Sequence, residues 1–104
     1  MIQDVDILLN CAGPFIFTTP RLLSNCLITN THYLDITGEV AVFEYCAKRH
    51  RLAEEAHTLI CPGIGFDVVP TDHLAVELSK ALPDATKLHL GFKSNAPLRG
   101  CMLS

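Results

Sequence analysis

The sequence predicts an α/β fold in which helices flank a parallel sheet. Short apolar runs of strand length alternate with longer stretches of helical periodicity, in the order β, α, β, α, β, α, β. The hydrophobic fraction of 49% is typical of strands buried on both faces, although a fragment with uncovered apolar surfaces would show it too. The length of 104 residues allows one domain at most.

The first half of this pattern contains a strand, a helix and a second strand. Residues 5–10 form a continuous apolar run that predicts the first strand. Thr19 and Pro20 are typical of a helix start, as N-cap and first helical residue, and Asn30 is typical of a helix end. The second strand is predicted over residues 33–36.

The second half repeats the alternation. An apolar stripe predicts one long helix over residues 40–57, and residues 58–61 predict a third strand. Thr71 or Asp72 would cap a third helix, and the alternation over residues 87–92 predicts a fourth strand. In open parallel sheets ligands bind at the carboxyl ends of the strands, so the loops that follow the strands are the candidate sites.

Composition and charge exclude several classes of function. The formal net charge is −3 and no basic cluster is present, which argues against a nucleic-acid partner. No apolar run approaches the roughly 18 residues that a membrane span needs. The five cysteines are odd in number and lack CxxC spacing, which argues against a disulfide framework and against a metal site. We therefore expect a reducing, cytoplasmic setting.

The loop after the first strand is the first candidate site. It contains Asn10, Cys11, Ala12, Gly13 and Pro14. A glycine beside a proline at the carboxyl end of a strand allows backbone amides to approach a bulky cofactor closely. The structural alternative is an ordinary strand-to-helix turn, which uses the same residue types.

Two further strand-end loops carry acids. Residues 37–39 (Thr-Gly-Glu) would place a hydroxyl and a carboxylate at the ligand-binding edge, or Glu39 would instead stabilise the start of the next helix. Residues 63–67 contain two glycines and an acid, but Val68 stands where a GxGxxG motif needs its third glycine. The structural alternative for Asp67 is hydrogen bonding to the amides of its own loop.

Three motifs, in order and correctly spaced, resemble the saccharopine dehydrogenase-like oxidoreductase family. They are NCAGPF at residues 10–15, THYLDITGE at residues 31–39 and PGIGFDVVPTD at residues 62–72. The resemblance extends over about residues 5–100, which correspond to a middle portion of a full family member. It implies a partial Rossmann-like parallel sheet with flanking helices, followed by the start of a second α/β domain.

The resemblance also implies domains, a cofactor and a site. Residues 1–70 would be the C-terminal part of a Rossmann dinucleotide-binding domain, and residues 71–104 the truncated beginning of a second domain for substrate binding or dimerisation. The implied activity is an oxidoreductase that uses NADP or NAD on a small-molecule substrate, with Glu39 and Asp67 as candidate catalytic residues. The nicotinamide side of the cofactor would be lined by Asn10, Cys11, Ala12, Gly13, Pro14 and Phe15, and the cleft walled by Thr37, Gly38, Glu39, Gly65, Phe66 and Asp67.

Two departures from the family pattern shape the expectation for this chain. The glycine-rich phosphate loop is absent from the 104 residues, and Cys101 follows Arg99 and Gly100 where relatives have threonine. We therefore expect the chain to be a fragment that is inactive alone. The alternative from another class is a non-catalytic remnant or interaction module, which would self-associate through an exposed sheet edge.

An alternative hypothesis is that the chain is a short-chain dehydrogenase, because residues 9–13 resemble the strand end of that class of enzymes. The class needs a lysine four residues after a catalytic tyrosine. Tyr45 has Arg49 at that position and Tyr33 has Thr37, so the sequence argues against a short-chain dehydrogenase.

Overall fold

The computed structural model describes residues 4–91 and contains a parallel sheet of three strands. The strands are β1 (Ile7–Asn10), β2 (His32–Asp35) and β3 (Ile60–Cys61), in the order β1–β2–β3. Asn10 lies beside Asp35 and Tyr33 beside Ile60 in the parallel ladders. The predicted α/β fold class, a partial Rossmann-like sheet with flanking helices, is confirmed.

Four helices connect and follow the strands. They are α1 (Phe15–Thr29), α2 (Val40–Ala47), α3 (His50–Glu55) and α4 (Val69–Ala81). Within residues 4–91, none of the helices has the length and apolar character needed to cross a membrane.

The predicted start of the first helix at Thr19 and Pro20 is wrong, because α1 begins four residues earlier and Pro20 lies inside it. The helix starts at Phe15 because its first amides find partners. The N–H groups of Phe15 and Ile16 donate to the carboxylate of Glu39, at 2.9 and 3.1 Å. A partner 24 residues away in sequence therefore determines the helix start, and local capping rules do not detect it.

The predicted end of this helix is confirmed. Asn30 adopts the left-handed conformation with φ of 55°, and its N–H donates to the carbonyl of Cys26. Asparagine tolerates this conformation better than most residues, because its short polar side chain interacts locally with the backbone.

The single long helix predicted over residues 40–57 is wrong, because the chain breaks between α2 and α3. In a continuous helix the N–H of Arg49 would donate to the carbonyl of Tyr45. Instead the Arg49 guanidinium donates to that carbonyl at 3.0 Å and lies 3.3 Å above the Tyr45 ring centroid. The Arg49 N–H donates to Cys46, three residues back, at 3.0 Å. This bond spans three residues where an α-helical bond spans four, and α2 therefore ends before Arg49.

The remaining boundaries also differ from the prediction. β3 is shorter than residues 58–61 because the Thr58 N–H donates to the carbonyl of Ala53 at 2.9 Å and leaves the ladder. α4 begins at Val69, earlier than the predicted caps at Thr71 or Asp72. Residues 87–91 form no strand, so that part of the fourth-strand prediction is wrong, while Phe92 and the motif at residues 99–101 lie outside the described residues.

The hydrophobic core lies on the face of the sheet that the helices cover. Its buried members are Leu23 and Cys26 from α1, Tyr33 from β2, and Val42 and Cys46 from α2. Complete burial of a leucine or valine side chain contributes about 1.5–3 kcal/mol. This small cluster fixes α1 and α2 over the strands and places the beginnings of both helices at the carboxyl edge of the sheet.

The opposite face of the sheet is open. Ile7 and Leu9 of β1 and Leu59, next to β3, point away from the core and are all more than half exposed. α4 has no buried residue. The open face is defined here by the side chains of Ile7, Leu9 and Leu59.

Candidate functional site

The three strand-end loops meet at the carboxyl edge of the sheet. Glu39 contacts the start of α1 through two backbone amides. Asp35, the last residue of β2, contacts the loop after β3 through the N–H of Gly63 at 2.9 Å. The structure therefore brings together the three motifs that the sequence singles out.

Asn10 shapes the first loop. It is buried, and its side-chain oxygen accepts the N–H of Ala12 at 3.0 Å. Its amide group donates to the hydroxyl oxygens of Thr18 and Tyr33, at 3.1 and 3.2 Å. Thr18 in turn donates to the carbonyl of Ala12 at 2.8 Å. These bonds hold the loop backbone in place.

The loop itself is accessible. Cys11, Ala12, Gly13 and Pro14 are exposed, and Phe15 is half-buried. A β-carbon added at Gly13 would meet only the ring of Phe15, at the ordinary contact distance of 3.5 Å. Gly13 is therefore not required by packing within the described residues, and its surface is available to a ligand.

The hydroxyl of Tyr33 is at the centre of a buried polar network. It lies 2.9 Å from Oδ2 of Asp35 and 2.9 Å from the hydroxyl of Thr19, and it accepts the amide of Asn10. One hydroxyl has one hydrogen to donate and two lone pairs. Donation to the Asp35 carboxylate, with acceptance from Asn10 and Thr19, satisfies all of them.

Burial raises the pKa of Tyr33 well above its usual range. Hydrogen bonds from Thr19 and Asn10 oppose this shift, while the bond to Asp35 and its negative charge add to it. A tyrosine in this state keeps its proton at neutral pH. Its hydrogen bonds to Asn10 and Asp35 connect β1 with the end of β2.

Glu39 stabilises the start of α1. Its two carboxylate oxygens accept the N–H groups of Phe15 and Ile16, and its own N–H donates to Oγ1 of Thr37 at 3.0 Å. A carboxylate at a helix N-terminus is favoured by the helix dipole. Glu39 is also the N-cap residue of α2, as the sequence alternative expects, but its side chain makes no capping bond there and bonds the start of α1.

Two glycines allow the second and third loops to approach each other. A β-carbon at Gly38 would lie 3.4 Å from Oδ2 of Asp67, and one at Gly65 would lie 3.2 Å from Cβ of Ile36 and 2.8 Å from Oδ1 of Asp67 in its own loop. The Asp67 carboxylate therefore lies beside Gly38 of the second loop. Phe66 projects away from them and is 87% exposed.

The structure places every predicted site residue at or beside this edge. The cofactor and catalytic roles assigned to them stay predictions. The sequence patterns did not identify Thr19, Tyr33 and Asp35 as members of the network. The signal was present in part, because Tyr33 and Asp35 alternate in a strand and so share one face. Their partner Asn10 faces the same side of the sheet through the register of β1 with β2.

Other titratable groups lie outside this edge. Nδ1 of His32 accepts the N–H of Leu59 at 3.0 Å, which is a structural role. Burial raises the pKa of Cys46 to about 11, with a further rise from the charge of Asp35 and an opposing effect of Arg49. Residues 4–91 hold no cluster of three or more side chains suited to bind a metal ion.

An apolar cavity of about 320 Å³ lies between α2, α3 and β3. Phe43, Cys46, Ala53 and Ile60 contribute to its lining, and His50 and Glu54 form an ion pair of 3.3 Å on α3 beside it. The cavity shares only Pro62 with the strand-end loops. It is therefore separate from the candidate site.

The chain is similar to several curated oxidoreductases. It is 31% identical over 106 residues to a protein of Arabidopsis thaliana named probable mitochondrial saccharopine dehydrogenase-like oxidoreductase, covering 96% of this chain and 23% of the relative. It is 34% identical over 73 residues to the saccharopine dehydrogenase-like oxidoreductase of Mus musculus, and 30% identical over the same length to that of Homo sapiens. Each of these two alignments covers 69% of this chain and 17% of the relative.

The chain therefore spans less than a quarter of the length of the curated relatives that it matches. No protein-family model and no solved structure matches it.

Proposed function

Because this chain belongs to the saccharopine dehydrogenase-like oxidoreductase family, we propose that it supplies part of the catalytic cleft of an NAD(P)-dependent oxidoreductase. In this proposal residues 1–70 are the later part of a Rossmann dinucleotide-binding domain, and residues 71–104 begin a second domain. The substrate of the whole enzyme is a small molecule. The cofactor is NADP or NAD.

The meeting of the three strand-end loops at one sheet edge is the observation that supports this proposal. In open α/β sheets this edge binds ligands, because the loops there leave a crevice above the strands. The first loop is exposed and its backbone is held by Asn10, while the second and third loops contact each other through Asp67. Together they offer a preformed wall to a planar ligand.

The described residues fit one part of a dinucleotide better than another. A pyrophosphate binds the free N–H groups at a helix N-terminus. At α1 the N–H groups of Phe15 and Ile16 are already bonded to the Glu39 carboxylate, which would also repel a phosphate. We therefore place the nicotinamide side of the cofactor, and not its phosphates, against residues 10–15.

The two candidate acids lie at different places in the proposed cleft. Both oxygens of Glu39 accept backbone amides, so we propose that Glu39 holds the first loop against the second. Asp67 lies at the junction of the second and third loops and is half-buried. We propose Asp67 as the acid that contacts the substrate or the nicotinamide. When bound, the cofactor would supply or accept the hydride.

The experiment is a chemical-shift titration of the isotope-labelled chain with NADPH and, separately, NADH. We expect the amide signals of Ala12, Gly13 and Phe15 to move, and those of α3 to stay in place. Gly13→Val should abolish the shifts, because the added methyl groups occupy the surface that the ring would contact. Gly91→Val is the matched control, since a β-carbon at Gly91 has no neighbour within 4 Å.

We expect binding by the 104-residue chain to be weak, because the helix N-terminus at α1 is not free for phosphate. Isothermal titration should give a dissociation constant well above about 10 μM, the level of a moderately tight complex. A tighter constant, or shifts centred on α3 or α4, would contradict the assignment of residues 10–15 to the cofactor.

The open face supports a second candidate function, an interaction module that associates with copies of itself. β1 is an edge strand of the described sheet, so one side of its backbone lacks a neighbouring strand. The apolar side chains of the open face lie on and beside it. Edge strands with exposed apolar side chains are typical sites of self-association.

For the cell compartment we propose the cytoplasm, a reducing setting in which the four described cysteines stay as free thiols. The name of the Arabidopsis thaliana relative instead includes mitochondrial. Fluorescence microscopy of the tagged chain distinguishes the two, and a mitochondrial signal would contradict our proposal.

A further inference from the structure

Asp35 is a fully buried carboxylate at the end of β2, the central strand. Its Oδ1 accepts the N–H of Thr37 at 3.0 Å and the N–H of Gly63 at 2.9 Å. Its Oδ2 accepts the hydroxyl of Tyr33 at 2.9 Å. Its backbone carbonyl accepts the N–H of Ile64 at 2.9 Å. One residue thus bonds the turn after β2 and the loop after β3.

A buried carboxylate is costly to the fold unless hydrogen bonds satisfy it. The ion pairs of the described residues all lie on the surfaces of α3 and α4, so a lysine or arginine pair does not stabilise Asp35 there. Backbone amides and one phenol stabilise it instead. Since an apolar side chain would fill this position at lower cost, the carboxylate is better explained by what it holds in place.

The bonds of Asp35 lead directly to both candidate acids. Thr37, which donates its N–H to Asp35, accepts the N–H of Glu39 through Oγ1 at 3.0 Å. Gly63, the other backbone donor, begins the loop that ends at Asp67, and its φ of 74° marks a backbone conformation that favours glycine. Moving either amide away from Oδ1 would change the separation of the two acids.

We infer that Asp35 is a positioning residue of the proposed cleft. Its Oδ1 fixes the turn at Thr37 against the loop at Gly63, and this contact sets how Glu39 and Asp67 face each other. The inference rests on the proposed function, because that function defines the cleft that the loops would form.

The test compares amide hydrogen exchange at Thr37 and Gly63 with exchange at Leu23 in the core. A ratio of loop to core rates removes any general loss of stability, which accelerates all of these amides together. Asp35→Leu keeps the approximate size of the side chain and removes both acceptors. Asp35→Asn keeps one acceptor without its charge. Tyr33→Phe removes the donor to Oδ2 and leaves the Oδ1 bonds in place.

We expect the loop-to-core ratio to rise about tenfold or more in Asp35→Leu, the loss expected for hydrogen bonds to a charged group. Asp35→Asn should raise it about threefold, because the bonds lose their charge assistance. Tyr33→Phe should leave it unchanged. An unchanged ratio in Asp35→Leu overturns the inference, as does an equal rise in Tyr33→Phe. If Asp35→Leu does not fold, an unchanged ratio in Asp35→Asn overturns it.

The NADPH titration separates this inference from the proposed function. If the chain shows no NADPH-induced shifts, the proposed function fails. The loop-to-core exchange ratio should still be highest in Asp35→Leu, intermediate in Asp35→Asn and unchanged in Tyr33→Phe. If the wild type shows shifts at residues 12–15 and Glu39, and Asp35→Leu keeps them all, Asp35 does not position the cleft.

Discussion

Leucine side chains lie on both sides of the sheet but have different surroundings there. On the covered face Leu23 of α1 packs over Tyr33 and is completely buried. On the open face Leu9 and Ile7 of β1 are 53% and 57% exposed. The strand residues on the covered face include Asn10 and Asp35 as well as Leu8 and Tyr33, so apolar character alone does not determine which face becomes the core.

The difference shows that burial follows from the presence of a covering element. The covered face has α1, α2 and a polar network that fixes their ends. α4 is also rich in apolar residues, yet Leu74, Val76 and Leu78 remain exposed along it. Parallel sheets are normally covered on both faces. The open face and α4 are therefore the surfaces of this fold that have the least packing.

The largest effect should come from the covered face. We expect Leu23→Ala to lower the free energy of unfolding by about 3–4 kcal/mol, through lost burial and the cavity left behind. Leu9→Ala, on the open face, should cost about 1 kcal/mol or less. Urea denaturation of both variants measures the difference. Equal costs would mean that the open face is covered in solution.

The second effect concerns the loop that Asp35 holds. Gly63 has φ of 74°, and a β-carbon there would lie 2.5 Å from the ring of Phe43. We expect Gly63→Ala to cost about 2–3 kcal/mol from backbone strain and overpacking. Gly91→Ala, with no neighbour within 4 Å, should change stability by about 0.5 kcal/mol at most. Thermal unfolding that ranks them in the opposite order would show that the loop after β3 can rearrange.

The parts of the fold that the sequence could predict are those that depend on local signals. Strand identity followed from apolar runs, and the end of α1 followed from Asn30, because both are local signals. The start of α1 and the break after α2 depend on Glu39 and on the Arg49 side chain. Neither contact leaves a periodic pattern, so local rules misplaced the first boundary and missed the second.

In the candidate site, too, local sequence patterns predicted some features and not others. Its three loops could be found from glycines and acids that follow strands, because parallel strands bring their carboxyl ends to one edge. The network of Asn10, Tyr33 and Asp35 could not be paired from sequence, since it depends on the register between β1 and β2. A one-residue shift of either strand would point these side chains to the open face.

A third, smaller effect is alkaline destabilisation from the covered face. Burial raises the pKa of Cys46 to about 11 from an ordinary value of 9.0. Between these values the unfolded chain has lost the thiol proton and the native chain keeps it, so the free energy of unfolding falls as pH rises from about 9 to about 11. We expect this thiol to account for a loss on the order of 2 kcal/mol by pH 11, since each unit of pKa difference corresponds to about 1.4 kcal/mol.

Cys46→Ala should reduce that alkaline loss, and Cys11→Ala should leave it unchanged because Cys11 is exposed. The raised pKa of Tyr33 adds a loss of the same sign at higher pH, which remains in both variants. Urea denaturation of the wild type and of both variants at pH 8 and pH 11 gives the three pH-dependent losses that are compared. If Cys46→Ala loses as much stability as Cys11→Ala, the Cys46 thiol is accessible to hydroxide and α2 does not stay packed on the sheet.

The smallest effect on folding, and a large one on association, should come from the open face. Leu9→Lys places a charge among Ile7 and Leu59 and beside the edge of β1, where it should oppose pairing with a second copy. Because Leu9 is already 53% exposed, the free energy of unfolding should change by about 1 kcal/mol or less. Leu90→Lys is the matched control, since Leu90 is 55% exposed and lies outside the sheet.

In sedimentation velocity over a range of concentrations, the wild type and Leu90→Lys should show rising average mass, while Leu9→Lys stays near the monomer mass of 11.4 kDa. A wild type that remains monomeric at all concentrations would remove the interaction-module proposal. Association that Leu9→Lys leaves intact would mean that the contact lies on another exposed apolar surface, such as α4.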